Sequence, residues 1–138
     1  MKKIIYTASG QSTGDARNGH GRSSDGALDV ELSTPGGNRP GTNPEQLFAV
    51  GYAACFHSAL KGVAKAQKAP ITDSSVSADV SLGEREEGGY GLAVALHVEM
   101  SGVDQQTAEA LVAEAHQVCP YSNATRGNID VLLNTVTA

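Results

Sequence analysis

The stretch Thr42 to Leu60, TNPEQLFAVGYAACFHSAL, constrains the fold of this chain more than any other. It reads as a helix with a marked start. Asn43 suits the N-cap, and Pro44 falls at the first helical position, where its missing N–H costs nothing. Gln46, three after the cap, completes a capping-box pattern. Beyond that turn Leu47, Phe48, Ala49, Val50, Gly51, Ala53 and Ala54 are apolar or small nearly all round. Such a helix is not amphipathic and needs cover on several sides. It is expected to run to Ala69, where Pro70 stops it, with a polar second half at Lys61, Lys65, Gln67 and Lys68. Two residues do not suit a bland core: Glu45 in the first turn and Cys55 in the middle.

Around this helix the chain alternates strands and turns. Lys2 to Ala8 is β-like, and Ser9 to Gly26, rich in Gly, Ser, Asn and Asp, reads as a long loop carrying Arg17, His20 and Arg22. Ala27 to Ser33 alternates as a half-buried strand, and Thr34 to Gly41 is a turn-rich connector. Ser75 to Leu82 and Tyr90 to Ser101 read as a hairpin across a charged turn at Glu84 to Gly89. Asp104 caps a second helix running to about Cys119, which Pro120 ends. Asn128 to Val136 is a last strand. Antiparallel sheet with segregated helices is an α+β arrangement. The 138 residues are expected to form one domain over 1–138. The first helix is too apolar for a small monomer with one covering sheet, so a second subunit is its simplest cover.

The net charge of −5 and the lack of any Lys/Arg cluster argue against nucleic acid as a partner. MKKIIYTASG has no long apolar run after its lysines and does not read as a signal peptide. No stretch reads as long and apolar enough to span a membrane. The expected setting is therefore the cytoplasm, where the two cysteines are better suited to catalysis or ligation than to a structural bridge.

Three readings of Cys55 and Cys119 compete. They fit two inert core thiols, since free Cys is often buried. They fit a metal site with His57 and His116, though Cys55 and His57 are two apart on a helix and point in opposed directions, and there is no C-x-x-C pair. They also fit a redox pair. A catalytic thiol must ionise near neutral pH, burial opposes that, and a fixed cation such as an arginine would restore it. Glu45, ten positions before Cys55, could hold that arginine, and a buried glutamate needs a cation of its own. Spacing alone does not select the arginine. Cys-His acyl transfer by Cys55 and His116 is a further possibility, and a hydrophobic ligand-binding dimer without turnover is a rival from another class.

The stretches NPEQLFAVGYAACF and CPYSNATRGNIDV, the latter at 119–131, resemble the organic hydroperoxide resistance (Ohr) proteins of the OsmC superfamily. The resemblance covers nearly the whole chain. It implies an α+β, OsmC-like intertwined homodimer, with antiparallel sheets enclosing long central helices. It implies a cysteine-based peroxidase that reduces organic hydroperoxides, including fatty-acid peroxides, with no bound cofactor or metal. The reductant it implies is an external dithiol, the lipoyl group of a lipoylated protein. Carried over by motif, Cys55 is the peroxidatic cysteine, Cys119 the resolving one and Glu45 the glutamate of NPEQ. The family's arginine lies at a fixed distance before Ser-Ser-Asp-Gly, and in TGDARNGHGRSSDG that register selects Arg17 rather than Arg22. Here Asp15-Ala16 replaces the usual Gly-Gly before it, and His20 stands where a basic residue is common. Phe48 and Phe56 could line an alkyl pocket or simply fill core. Tyr121 could join the site through its hydroxyl or make a structural hydrogen bond.

Overall fold

The fold is described from a computed structural model covering residues 1–138, in two units, Met1–Leu47 and Phe48–Ala138. The first unit is a sheet of three antiparallel strands, β1 (Gly10–Thr13), β2 (His20–Ser23) and β3 (Asp29–Glu31), in that order. The strand expected at Lys2 to Ala8 therefore lies further on. Ile4, Ile5 and Tyr6 carry no regular structure and stand exposed, because nothing within this unit offers them a partner. The expected loop from Ser9 to Gly26 holds two four-residue strands, separated by a short 3-10 turn at Ala16–Asn18. Its glycines read as loop residues, but Gly19 serves a close crossing. A Cβ there would lie 2.2 Å from the Thr13 carbonyl oxygen, so no side chain fits. Leu32 is the only buried hydrophobic residue of this unit.

Helix α1 (Pro44–Ala66) starts as its sequence predicts. The Asn43 side chain accepts from the Gln46 N–H at 2.8 Å. The Gln46 side chain does not close the capping box as expected; it accepts instead from the Thr42 hydroxyl at 2.7 Å. The helix ends three residues short of Ala69. Lys68 turns left-handed at φ 56°, and the Ala69 N–H bonds the Ala64 carbonyl, the closure of a Schellman turn with lysine in the place glycine usually takes. Tyr52, Phe56, Leu60, Val63 and Ala64 form one buried stripe. Val50, Ala54, Ser58 and Gly62 lie on a face that is open in the single chain. One expectation needs correction here: at 23 residues α1 is, by length and composition, long and apolar enough to cross a membrane. Its buried stripe is packed in a protein core, the other setting such a composition suits.

The second unit holds β4 (Asp73–Glu84), β5 (Tyr90–Ser101), α2 (Gln105–Val118), α3 (Pro120–Thr125) and β6 (Val131–Thr137). The β4–β5 hairpin is as expected, and Val94, Leu96, Val98 and Met100 bury one face of β5. Asp104 caps α2 by accepting from the Thr107 N–H at 2.8 Å, and Ala108, Leu111, Val112 and Ala115 form its buried stripe. The α+β class holds, but this sheet is mixed rather than antiparallel throughout: β6 pairs with β5 in parallel. The path from β5 through two helices back to the same sheet is a crossover, which delivers a parallel neighbour.

Candidate active site

Cys55 lies half-buried on α1, and Cys119 is fully buried at the joint between α2 and α3. Their sulfurs are 3.6 Å apart, and both thiols are free. Cys119 closes one helix and opens the next. Its N–H bonds the Ala115 carbonyl, while its sulfur accepts from the Ser122 N–H at 3.5 Å. Burial pushes the Cys55 thiol up, and contact with Cys119 adds to this, while the backbone N–H of Tyr121 acts in the opposite sense. The dominant effect thus favours the neutral thiol, and a cation beside the sulfur would act in the opposite sense.

Arg17 and Glu45 form a two-pronged pair, Nη1 to Oε2 at 3.0 Å and Nη2 to Oε1 at 2.8 Å. The guanidinium holds the Glu45 carboxyl below its ordinary range, against the opposing effect of burial. Arg22 instead lies 3.7 Å from Asp29 on the exposed sheet. The 3-10 turn presents Arg17. Asn18 secures that turn by accepting from the Thr34 N–H at 3.1 Å, and Ala16 sits in a strained left-handed conformation at φ 50°.

Phe48, Tyr52 and Tyr121 form an aromatic cluster with ring centroids 5.6 to 6.0 Å apart. Phe48 and Tyr121 face a groove of about 640 Å³, together with Tyr90, Leu92, Ile129 and Arg85. Phe56 does not line it and is fully buried in the core. A second hollow of about 550 Å³ opens on Cys55 itself, walled by Ala59, Gly62, Val118 and Pro120.

The four side chains weighed for a metal go to different partners. His57 Nε2 bonds Ser74 at 2.8 Å, His116 Nδ1 bonds Ser122 Oγ at 2.8 Å, and the cysteines face each other. His116 thus belongs to a buried chain that sequence reasoning missed. Ser122 Oγ meets the Tyr52 hydroxyl at 2.8 Å, which meets Thr125 Oγ1 at 3.0 Å. Pro120 at a helix start was the available signal for α3, but cysteine is not among the usual capping residues, and the break after α2 masked the new beginning.

The family described as OsmC-like protein matches residues 35–134. An organic hydroperoxide resistance protein of Xanthomonas axonopodis pv. citri is 50% identical over 137 residues, covering 96% of this chain and 95% of that protein. The chain belongs to the organic hydroperoxide resistance group of the OsmC family. Solved Ohr structures agree in fold. One from Legionella pneumophila superposes with a TM-score of 0.92 at 51% identity, covering 99% of this chain and all (100%) of that one. One from Elizabethkingia anophelis superposes with a TM-score of 0.93 at 48% identity, covering 100% of both. The Ohr resemblance read from the two cysteine motifs is thereby shown across the chain.

Proposed function

We propose that this chain is a thiol peroxidase that reduces organic hydroperoxides to alcohols through Cys55 and Cys119. The observation that carries the reading is the 3.6 Å approach of two free sulfurs from helices far apart in sequence. The names of the Ohr relatives support the substrate class.

In the proposed cycle Cys55 attacks the terminal oxygen of the peroxide as thiolate. The O–O bond breaks, the departing alkoxide takes a proton and leaves as alcohol, and Cys55 becomes a sulfenic acid. Arg17 is assigned as the cation that favours the thiolate and steadies the departing charge, with Glu45 holding the guanidinium by two hydrogen bonds. Cys119 then displaces hydroxide from the sulfenic sulfur; its thiol proton leaves with that oxygen as water, and a disulfide remains. An external dithiol, assigned as the lipoyl group of a lipoylated protein, reopens the bridge by exchange and is itself oxidised to a cyclic disulfide. Phe48 and Tyr121 are assigned to the alkyl end of the substrate. The proposed assembly is a homodimer in the cytoplasm, supported by the open apolar face of α1 and by a first unit whose only buried hydrophobic residue is Leu32.

Counting free thiols before and after one equivalent of cumene hydroperoxide tests the reading. Loss of both thiols with release of the alcohol is expected. Cys119→Ser should react once, fail to cycle on dihydrolipoamide and over-oxidise. Unchanged thiols would leave a hydrophobic ligand-binding dimer, the reading that the apolar groove would then favour.

A further inference from the structure

We propose that Arg39 is a positioning residue for Arg17: its guanidinium ties the short turn that carries Arg17 to strand β3, and so keeps the Arg17 side chain on Glu45. This role rests on the peroxidase reading, in which Arg17 supplies the charge, and adds to it a residue that acts through Arg17 rather than on the substrate.

The turn at Ala16–Asn18 has little to hold it from within. It is three residues long, its start has no side-chain cap, and Ala16 sits at φ 50°, where a residue with a side chain is strained. A single turn fixes several backbone angles for very few hydrogen bonds, so it persists only where its surroundings hold it. Those surroundings meet it at Asn18, directly after Arg17. The Asn18 side-chain oxygen accepts from the Thr34 N–H at 3.1 Å and from the Thr34 hydroxyl at 3.3 Å. The Asn18 carbonyl accepts from Arg39 Nη1. Arg17 adds little restraint of its own: its side chain is 43% exposed, so its pair with Glu45 competes with water.

Arg39 is anchored at its other prong. Its Nη2 donates to Glu31 Oε2 on β3 at 2.8 Å. Both side chains are about half exposed, at 46% and 59%, and an isolated pair of that kind contributes little. This pair is part of a network, the case in which surface charges do contribute. Glu31 Oε1 meets His20 Nδ1 at 2.8 Å, His20 Nε2 meets Asp29, and Asp29 lies 3.7 Å from Arg22. Basic and acidic side chains thus alternate across the sheet, and the carboxylate that anchors Arg39 is held at both oxygens. The planar fork suits this position. Two nitrogens of one rigid group reach two acceptors at once, one on the turn and one on the strand, and an ammonium on a flexible stem does not fix those directions.

The test is a double-mutant cycle on kcat/KM for cumene hydroperoxide, with Arg39→Met, Arg17→Ala and the two together. Arg39→Met alone should lower kcat/KM at neutral pH on the order of fivefold and move the inflection of the pH–rate profile upward, because a loosely held Arg17 favours the thiolate less. In the Arg17→Ala background the same change should do nothing further. Losses that simply add would overturn the proposal, since Arg39 would then act by another route. Arg22→Met removes the same charge from the far end of the network and should leave the profile in place; an equal shift there would overturn it too. Arg39→Lys should lie between the wild type and Arg39→Met. Tryptic cleavage of the Arg17–Asn18 bond, followed by mass spectrometry, needs no turnover and should be several-fold faster in Arg39→Met. Should the wild type reduce no peroxide while that bond is cut faster in Arg39→Met, the peroxidase reading falls and the hold of Arg39 on the turn stands. Equal cleavage in the two proteins would overturn that hold whatever the activity.

Discussion

At the scale of single residues the proposed cycle draws on two chemistries, two thiols for the redox step and an arginine held by a carboxylate for charge. Burial dominates the Cys55 thiol, so its reactivity in the proposed cycle depends on a cation that offsets it. If Arg17 is that cation, Arg17→Ala should move the inflection of the pH–rate profile upward, because the thiolate is the reactive form and less of it exists at a given pH. Peroxide reduction at neutral pH should fall far more than in Arg22→Ala, whose side chain pairs only with Asp29 on the surface. Stopped-flow rates across pH for the two variants check this; equal losses would remove Arg17 from the mechanism. The register that selected Arg17 was legible in the sequence, because Ser-Ser-Asp-Gly lies at a fixed distance after it. The groove that Phe48 and Tyr121 face was not legible, because its wall is gathered from stretches far apart in sequence.

At the scale of elements, amphipathic periodicity and capping chemistry were the reliable signals. Helix α2 starts at the Asp104 cap and stops before Pro120 because both ends are written in local chemistry. The start of α1 was legible for the same reason. Its end was not, since Lys68 adopts a conformation usually left to glycine. Strand β1 was misplaced because Ile4, Ile5 and Tyr6 have the better strand composition, whereas the pairing falls to Gly10–Thr13. The small helix α3 is tied to α1 through side chains rather than through any local pattern. The Tyr52 hydroxyl meets both Ser122 Oγ and Thr125 Oγ1 among buried side chains, so Tyr52→Phe should cost about 1–2 kcal/mol. A urea midpoint that falls with an unchanged m-value would report that loss. No change in midpoint would mean that Ser122 is held sufficiently by His116 alone.

At the scale of the whole molecule the chain carries more apolar surface than it covers. Ile4, Ile5, Tyr6, Val50, Val118, Leu132 and Val136 are all exposed. The proposed homodimer would cover such surface, and sedimentation at low micromolar concentration should give a dimer whose thermal midpoint rises with protein concentration. A monomer with a concentration-independent midpoint would contradict it. The nearly all-apolar stretch Leu47 to Ala54 made that need visible in the sequence. Which faces stay open was not visible, because it depends on how the sheets close. The joint at Cys119 has a consequence of its own. To form the proposed bridge the two sulfurs must close from 3.6 Å to bonding distance, about 2 Å, and whatever part of that travel Cys119 makes would loosen its hold on the Ser122 N–H that it now caps. Helix α3, whose Tyr121, Ala124 and Thr125 form one wall of the groove, would then have a weaker anchor at its first turn. In the proposed cycle the spent protein would differ from the ready one in the shape of the wall its substrate meets, so that a second peroxide would find a looser seat while the reductant would find the form it must repair.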